Sequence, residues 1–254
     1  MHGNPGSMLD LAALLSPLSE MGSVAAYDAP GFGRSPTPAK ESALTIDASA
    51  ELAVRMLDHL GWPDAVIVGH SHGGGVAQRV ARRWPERVRG LVLLGTLGAP
   101  AHLTYRLFPL PGVETVLAGA GWLLPRLPRA SARRLVRYFM DLNYAPSQAA
   151  PEEVAHEHEL LCDNPHVLRN MARVTRGEPC VLLDDDAPQI AAPTLFLHGE
   201  RDQIVPLRHA RRIYERMTEA GRRARFVAIP HAGHMLAAQE PGRCVEAIRE
   251  LLTT

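Results

Sequence analysis

The segment that most constrains this fold is residues 69–73, Gly-His-Ser-His-Gly, directly after the apolar run of residues 65–68. A β-rich run that ends in Gly-x-Ser-x-Gly and leads into a helical stretch predicts a strand, a sharp turn with the serine at its apex, and a helix. Here the helical stretch covers residues 76–84 and is ended by Pro85. The turn forces the serine into a strained backbone conformation, so side chains at positions 69 and 73 would collide with it.

Strand-like and helix-like segments alternate on both sides of this turn. Alternation of this kind predicts an α/β fold, with a parallel sheet covered by helices on both faces. The predicted strands are residues 24–27, 65–68, 88–94, 194–197 and 224–229, and the predicted helices include residues 53–60, 210–217 and 245–252. From about residue 100 to residue 193 the pattern is helical and cut by prolines. We therefore expect a core of residues 1–99 and 191–254, with a helical cap at residues 100–190.

A serine hydroxyl becomes a good nucleophile when a histidine accepts its proton and a carboxylate orients that histidine. Catalytic groups of open parallel sheets lie at the carboxyl ends of strands. Asp202 follows the strand 194–197, and His234 follows the strand 224–229, so both could join Ser71 there. Glu200 or residues 184–186 could supply the acid instead, and His231 could supply the base.

Three further motifs carry a resemblance to a known family: residues 2–7 (His-Gly-Asn-Pro-Gly-Ser), residues 28–35 and residues 232–234 (Ala-Gly-His). With the serine motif, they make nearly the whole chain resemble the α/β-hydrolase superfamily, in its branch with a helical cap. The resemblance implies Ser71, Asp202 and His234 as the catalytic residues, since that family places the histidine after the glycine. It also implies an oxyanion hole from the backbone N–H groups of Asn4 and His72, with no metal or organic cofactor.

The identity of the nucleophile narrows the reaction. His-Gly-Asn-Pro resembles the haloalkane dehalogenases and epoxide hydrolases, but those enzymes use an aspartate, because serine attack on an alkyl carbon would end in an ether. Ser71 therefore requires an acyl-type carbon. We expect a cofactor-independent, carboxylesterase-like serine hydrolase that cleaves a small to medium ester through an acyl-enzyme. The alternatives are a carbon–carbon bond hydrolase, a lactonase or a thioesterase on the same residues, or a non-catalytic or truncated relative.

The cap is expected to shape the acyl pocket with bulky apolar side chains. Eight residues are candidates either for that lining or for packing within the cap itself: Leu103, Tyr105, Leu107, Phe108, Trp122, Leu123, Tyr138 and Phe139. Five arginines between residues 126 and 137 form either a solvated helix face or a clamp for an anionic substrate.

Composition sets the remaining expectations. The formal net charge is zero, which predicts no bulk attraction to nucleic acid or to an anionic membrane. The cysteines, Cys162, Cys180 and Cys244, are expected to be buried free thiols. No apolar run reaches membrane-spanning length, so a cytoplasmic location is expected. Since the family has three strands before its His-Gly motif, Met1 is expected to be an internal methionine, with the natural chain starting upstream.

Overall fold

A computed structural model describes residues 1–96, 102–177 and 186–253. Its sheet has four strands: β1 (Ala65–His70), β2 (Val88–Leu94), β3 (Thr194–Gly199) and β4 (Ala224–Ile229). They lie side by side in the order β1-β2-β3-β4, and every neighbouring pair is parallel. Because the strands are parallel, their carboxyl ends meet at one edge of the sheet. The parallel α/β sheet predicted from the alternating pattern is confirmed.

Helices cover both faces of this sheet. Successive side chains of β3 point to opposite faces, and each set is buried against a different layer of helices. Phe196 packs in the core beneath α2 (Ile46–His59), α3 (His72–Arg83) and α9 (Leu207–Glu219). Leu195 and Leu197 pack on the other face, against α1 (Ala12–Ser19), α10 (Leu236–Gln239) and α11 (Pro241–Thr253). All three side chains are fully buried, as expected for a sheet enclosed between two layers of helices.

The described part of the chain between β2 and β3 consists of helices joined by short turns, with no strand among its described residues. Its helices are α4 (Leu103–Leu107), α5 (Val113–Leu123), α6 (Arg129–Tyr144), α7 (Pro151–Asp163) and α8 (Val167–Gly177). Helix α8 packs against α5, and its Asn170 donates hydrogen bonds to the Gly31 carbonyl (2.9 Å) and the Thr37 hydroxyl (3.0 Å). The cap limits at 100 and 190 stay a prediction, since residues 97–101 and 178–185 lie outside the described residues.

The first predicted strand, residues 24–27, is wrong. The segment pairs with none of the four strands. It forms one wall of an apolar groove of about 450 Å³, and residues 65–68 of β1 form another wall. On the groove side of β1, the Met1 amino group donates to the Val68 carbonyl (2.7 Å), and the Met1 carbonyl accepts from the His70 N–H (2.9 Å). Residues 24–27 therefore lie across the groove from β1 and do not pair with it.

The cysteines only partly follow the prediction. Cys244 is a buried free thiol in the core, whereas Cys162 is also free but only half-buried. Cys162 lies on helix α7 of the helical segment, where packing encloses one side of a helix and leaves the other in solvent. Cys180 lies outside the described residues.

Candidate active site

Ser71 stands at the turn between β1 and α3. Its backbone has φ 51° and ψ −118°, a conformation that side-chain-bearing residues rarely adopt. The turn is held by hydrogen bonds from the Ser71 N–H to the Leu94 carbonyl and from the Gly74 N–H to the Ser71 carbonyl, both 2.9 Å. A Cβ on Gly69 would overlap the carbonyl group of Gly73. The glycine requirement deduced from the sequence thus has a direct steric cause.

The loop at residues 2–6 packs directly on this turn. A Cβ on Gly73 would overlap the carbonyl oxygens of Met1 and His2, and a Cβ on Gly3 would lie 3.1 Å from the Ser71 Cβ. His2 ties the loop to the next segment, since its Nδ1 bonds the Gly3 carbonyl (2.7 Å) and its Nε2 accepts from the Ala29 N–H (2.8 Å). Absent side chains at the glycines thus allow the loop to reach the serine.

Asp202 and His234 meet at the carboxyl ends of β3 and β4. The His234 Nδ1 lies 2.7 Å from the Asp202 Oδ2, and both side chains are almost completely buried. The other carboxylate oxygen, Oδ1, accepts from the N–H groups of Ile204 (2.9 Å) and Val205 (2.8 Å). These backbone donors fix the plane of the carboxylate, and the carboxylate then orients the imidazole with its Nε2 free to act as a base.

The rivals for these two roles lie elsewhere. Glu200 and His231 are both exposed, and Asp186 pairs with Arg79 (3.2 Å) on the outer surface of α3. Residues 184 and 185 lie outside the described residues. Among the described candidates, the geometry selects the pair Asp202 and His234.

A second histidine contacts the same carboxylate. The His198 Nε2 lies 3.3 Å from the Asp202 Oδ2 and 2.9 Å from the Val205 carbonyl, and the ring is fully buried. Burial by itself raises the pKa of Asp202, but the charge of His234 and the hydrogen bonds from His198 and His234 outweigh it. The pKa of Asp202 is therefore held below its usual range, and the carboxylate stays charged. The sequence placed His198 at the end of β3 without indicating this role.

His70 connects the serine to the histidine loop. Its Nε2 lies 3.0 Å from the His234 carbonyl, and the two rings are 4.8 Å apart. Burial, together with the nearby His234, lowers the pKa of His70 to about 3. His70 is therefore neutral at physiological pH and donates to the His234 carbonyl from Nε2. No local pattern in the sequence indicates that His70 holds this loop.

One expected oxyanion donor directly follows Ser71 in the chain, and the other lies in the loop that packs on Ser71. His72 is the first residue of α3, where backbone N–H groups have no intrahelical acceptor. Asn4 follows Gly3 in the loop that contacts Ser71, and its side-chain Nδ2 donates to the Met171 carbonyl on α8 (3.4 Å). Burial lowers the pKa of the His72 imidazole to about 4, so that ring adds no positive charge beside the serine.

The cap contacts the histidine loop at the end of α6. The His234 N–H donates to the Asn143 carbonyl (3.0 Å), and a Cβ on Gly233 would overlap the Ala145 carbonyl. Nothing in the sequence pattern pointed to Asn143, because the contact uses backbone atoms of two segments far apart in the chain. The position of the base thus depends on the cap as well as on the sheet.

The predicted apolar lining of the cap is largely wrong. Phe108 is buried, in a cluster with Phe32 and residues of α8, and Phe139 is half-buried. The side chain of Tyr105 lies outside the described residues. The other five candidates project into solvent: Leu103, Leu107, Trp122, Leu123 and Tyr138. Helix α5 is apolar around most of its circumference, so hydrophobicity alone could not show which face is buried.

The described residues contain neither a metal-binding cluster nor a membrane-spanning helix. No group of three or more His, Cys, Asp or Glu side chains in residues 1–96, 102–177 and 186–253 is arranged to hold a metal ion. Across those same residues, no helix is long and apolar enough to cross a membrane.

A serine on a strained turn, a buried histidine–carboxylate pair and a parallel α/β sheet together define the serine-hydrolase class of α/β proteins. Comparison with known families agrees: residues 1–247 match the model of the alpha/beta hydrolase family. The chain belongs to that family.

Individual relatives are similar to parts or all of the chain. The 2-hydroxymuconate semialdehyde hydrolase of Pseudomonas putida is 32% identical over 201 residues, which cover 72% of this chain and 62% of that relative. The protein of the same name from Pseudomonas sp. (strain CF600) is 28% identical over 99% of this chain and 85% of its own length. Among solved structures, a thermophilic esterase from Thermogutta terrifontis is 25% identical, with a TM-score of 0.74 over 99% of this chain and 87% of its own.

Proposed function

We propose that this chain is a serine hydrolase in which Ser71 is the nucleophile, His234 the general base and Asp202 the orienting acid. We further propose that it cleaves a carbon–carbon bond next to a carbonyl group. The observation that carries the first part is the buried contact of 2.7 Å between His234 and Asp202, at the edge of the sheet where Ser71 also lies. The second part is supported by the two relatives named as 2-hydroxymuconate semialdehyde hydrolases.

The proposed first step is acylation. The Ser71 hydroxyl gives its proton to the His234 Nε2 and attacks the carbonyl carbon of the substrate. The resulting oxyanion accepts hydrogen bonds from the N–H groups of Asn4 and His72, and such donors contribute several kcal/mol, about 3 each. The negative charge of Asp202 stabilises the imidazolium that forms.

The leaving group distinguishes the two reactions. In carbon–carbon cleavage, the electron pair of the broken bond moves to the leaving carbon, where a conjugated carbonyl group must delocalise it. His234 then returns its proton to that carbon, and water, activated by the same histidine, releases the acyl group from Ser71. In ester cleavage the proton goes to an alkoxide oxygen, and the second half-reaction is the same. One water molecule is consumed in either case, and neither route needs an oxidant or a reductant.

An ester substrate is the second candidate, because the esterase from Thermogutta terrifontis is similar over nearly the whole chain. Nothing in the machinery around Ser71 distinguishes an alkoxide from a delocalised carbanion as leaving group. The predicted cytoplasmic location remains part of the proposal.

The test compares the two substrate classes on one enzyme preparation. Purified chain is given 2-hydroxymuconate semialdehyde, followed by loss of its conjugated absorbance, and separately p-nitrophenyl acetate and butyrate. A kcat/KM at least 100-fold higher for the first substrate supports carbon–carbon cleavage, and the reverse ratio supports the ester.

The assignment of the nucleophile is tested by intact mass after reaction with a fluorophosphonate probe. We expect a single adduct on the chain and on the control Ser131→Ala, which changes an exposed serine of α6. We expect no adduct on Ser71→Ala. An adduct that persists in Ser71→Ala, or its absence from folded wild-type protein, would refute the proposal.

A further inference from the structure

The outer face of helix α5 is apolar where a solvent-facing helix is normally polar. Val116 is 69% exposed and Trp122 is 60% exposed, and Leu123 is exposed as well. The 3.6-residue period of a helix places Val116 and Leu123, seven residues apart, on one side, with Trp122 beside Leu123. Isolated exposed apolar residues are ordinary, but the exposed residues of α5 carry no charge and include three large apolar side chains, which favours contact with another apolar phase.

Positively charged residues follow the exposed apolar side of α5 in the chain. Residues 115–140 contain five arginines and no aspartate or glutamate. Within the described part of the chain, Arg129 has an acidic partner in Glu159 (3.3 Å) and Arg137 has one in Asp141 (4.0 Å). The first pair is largely exposed and the second is at the limit of contact distance, so neither contributes much. The Arg126 guanidinium lies 3.7 Å from the centre of the Trp122 ring, so a cation and an exposed indole form one unit.

Helix α6 continues the same chemistry after the short turn at Leu124–Arg126. Its exposed residues include Arg134, Leu135 and Tyr138, which the helical period places on one side. Its buried residues, Ala132 and Val136, face inward. Apolar, aromatic and cationic side chains are thus mixed among the exposed residues of both helices, which the turn at Leu124–Arg126 joins.

We propose that this surface, which we call the α5–α6 face, docks on an anionic lipid membrane. Helices that lie in a membrane interface combine tryptophan and leucine with arginine or lysine, and the basic side chains are attracted to anionic headgroups. The methylene stem of an arginine can also lie along the acyl boundary while its guanidinium group stays in the headgroup layer. The proposed binding is peripheral, with the two helices lying against the headgroup layer.

A second copy of this chain is the less favourable occupant. Self-association through the α5–α6 face would bring two sets of arginines together, and the contacts with Glu159 and Asp141 offset only part of their charge. An anionic bilayer removes that repulsion and supplies an apolar layer for Trp122. The net charge of the whole chain is zero, but five of its positive charges are concentrated locally at residues 126–137.

Docking at this face has a direct connection to the active site. Helix α6 runs from the arginines to Asn143, whose carbonyl accepts the His234 N–H. A bilayer under the α5–α6 face would therefore bring apolar substrates close to the helix that also supports the base. The docking proposal itself does not depend on the identity of that substrate.

The test is co-sedimentation of the full chain with vesicles of pure phosphatidylcholine and of phosphatidylcholine with 30% phosphatidylglycerol, at low and high salt. We expect binding only to the anionic vesicles, with weakening at high salt. Arg126→Glu combined with Arg134→Glu should weaken binding about tenfold or more, as should Trp122→Gln with Leu123→Gln. The control Arg55→Glu with Arg249→Glu makes the same charge change at exposed positions outside this face and should bind nearly as wild type.

Tryptophan fluorescence gives a second measurement. The chain has three tryptophans, and we expect a blue shift on anionic vesicles that disappears in Trp122→Phe. The proposal fails if the wild type does not bind anionic vesicles at low salt, or if the control pair weakens binding as much as the α5–α6 pair. It also fails if sedimentation velocity shows a dimer that Trp122→Gln dissociates, since a second copy would then be the occupant.

Discussion

Replacing Ser71 by glycine should stabilise the protein relative to alanine, although both changes remove the nucleophile. At φ 51° and ψ −118° any residue with a Cβ is strained, whereas glycine is not. Alanine keeps the strain and loses only the hydroxyl. The comparison of Ser71→Gly with Ser71→Ala therefore isolates the energetic cost of the turn.

The magnitude follows from two opposing contributions. A residue held in such a conformation costs about 1–3 kcal/mol. Glycine loses more backbone freedom on folding than alanine, which costs about 0.5–1 kcal/mol in the opposite direction. We expect Ser71→Gly to be more stable than Ser71→Ala by about 1 kcal/mol, or about 2–4 °C in Tm for a chain of this size.

The assay is thermal or urea unfolding of the two variants, with a fluorophosphonate probe to confirm that both are unreactive. Ser131 provides the matched control, because it is exposed within α6, where a helical backbone favours alanine. There the order should reverse, with Ser131→Gly less stable than Ser131→Ala by about 1 kcal/mol. If glycine is no better than alanine at position 71, the strain argument is wrong.

Two further predictions concern histidines. Burial lowers the pKa of three of them in the folded state, so below about pH 6.5 these three groups bind more protons in the unfolded chain, and their contribution to the unfolding free energy should fall as pH drops from 7 towards 4. The three are His2, His70 and His72. Burial also raises the pKa of Glu157 to about 7 and the pKa of Asp10 well above its usual value, which opposes part of this fall. The slope can reach about 1.4 kcal/mol per pH unit for each; urea unfolding at pH 7 and pH 5 measures it, and equal stabilities would contradict it. The second prediction concerns His198, which donates to Asp202. His198→Leu removes this donor and should lower kcat about 10- to 100-fold, whereas His198→Gln can still donate and should retain most activity. Equal kcat values in the two variants would show that the hydrogen bond is unimportant.

The sequence was most informative where chemistry and steric demand coincide. The motif at residues 69–73 predicted a strained serine, because glycines two residues away on each side are needed for that turn and the structure shows the atoms they avoid. The positions of Asp202 and His234 followed from strand ends, which four parallel strands bring to one edge. Local pattern sufficed for these features, since each depends on a few neighbouring residues.

Other features depended on neighbours that the sequence could not show. Residues 24–27 have a strand-like composition but need a paired edge, and the groove beside β1 separates them from one. Trp122 and Tyr138 were assigned to a pocket because they are large and apolar, yet both face solvent. Hydrophobicity predicts that a side chain favours burial, but it does not predict which surface the side chain packs against.

The hydrogen bond between the His234 N–H and the Asn143 carbonyl has a consequence for engineering. A cap exchanged with that of a relative would bring its own last turn of α6, and with it a new resting place for the loop that carries the base. Specificity and turnover are therefore not separable modules in this chain. A graft that preserves the backbone of residues 143–145 should keep its rate, and one that shifts those residues should lose rate before it changes selectivity.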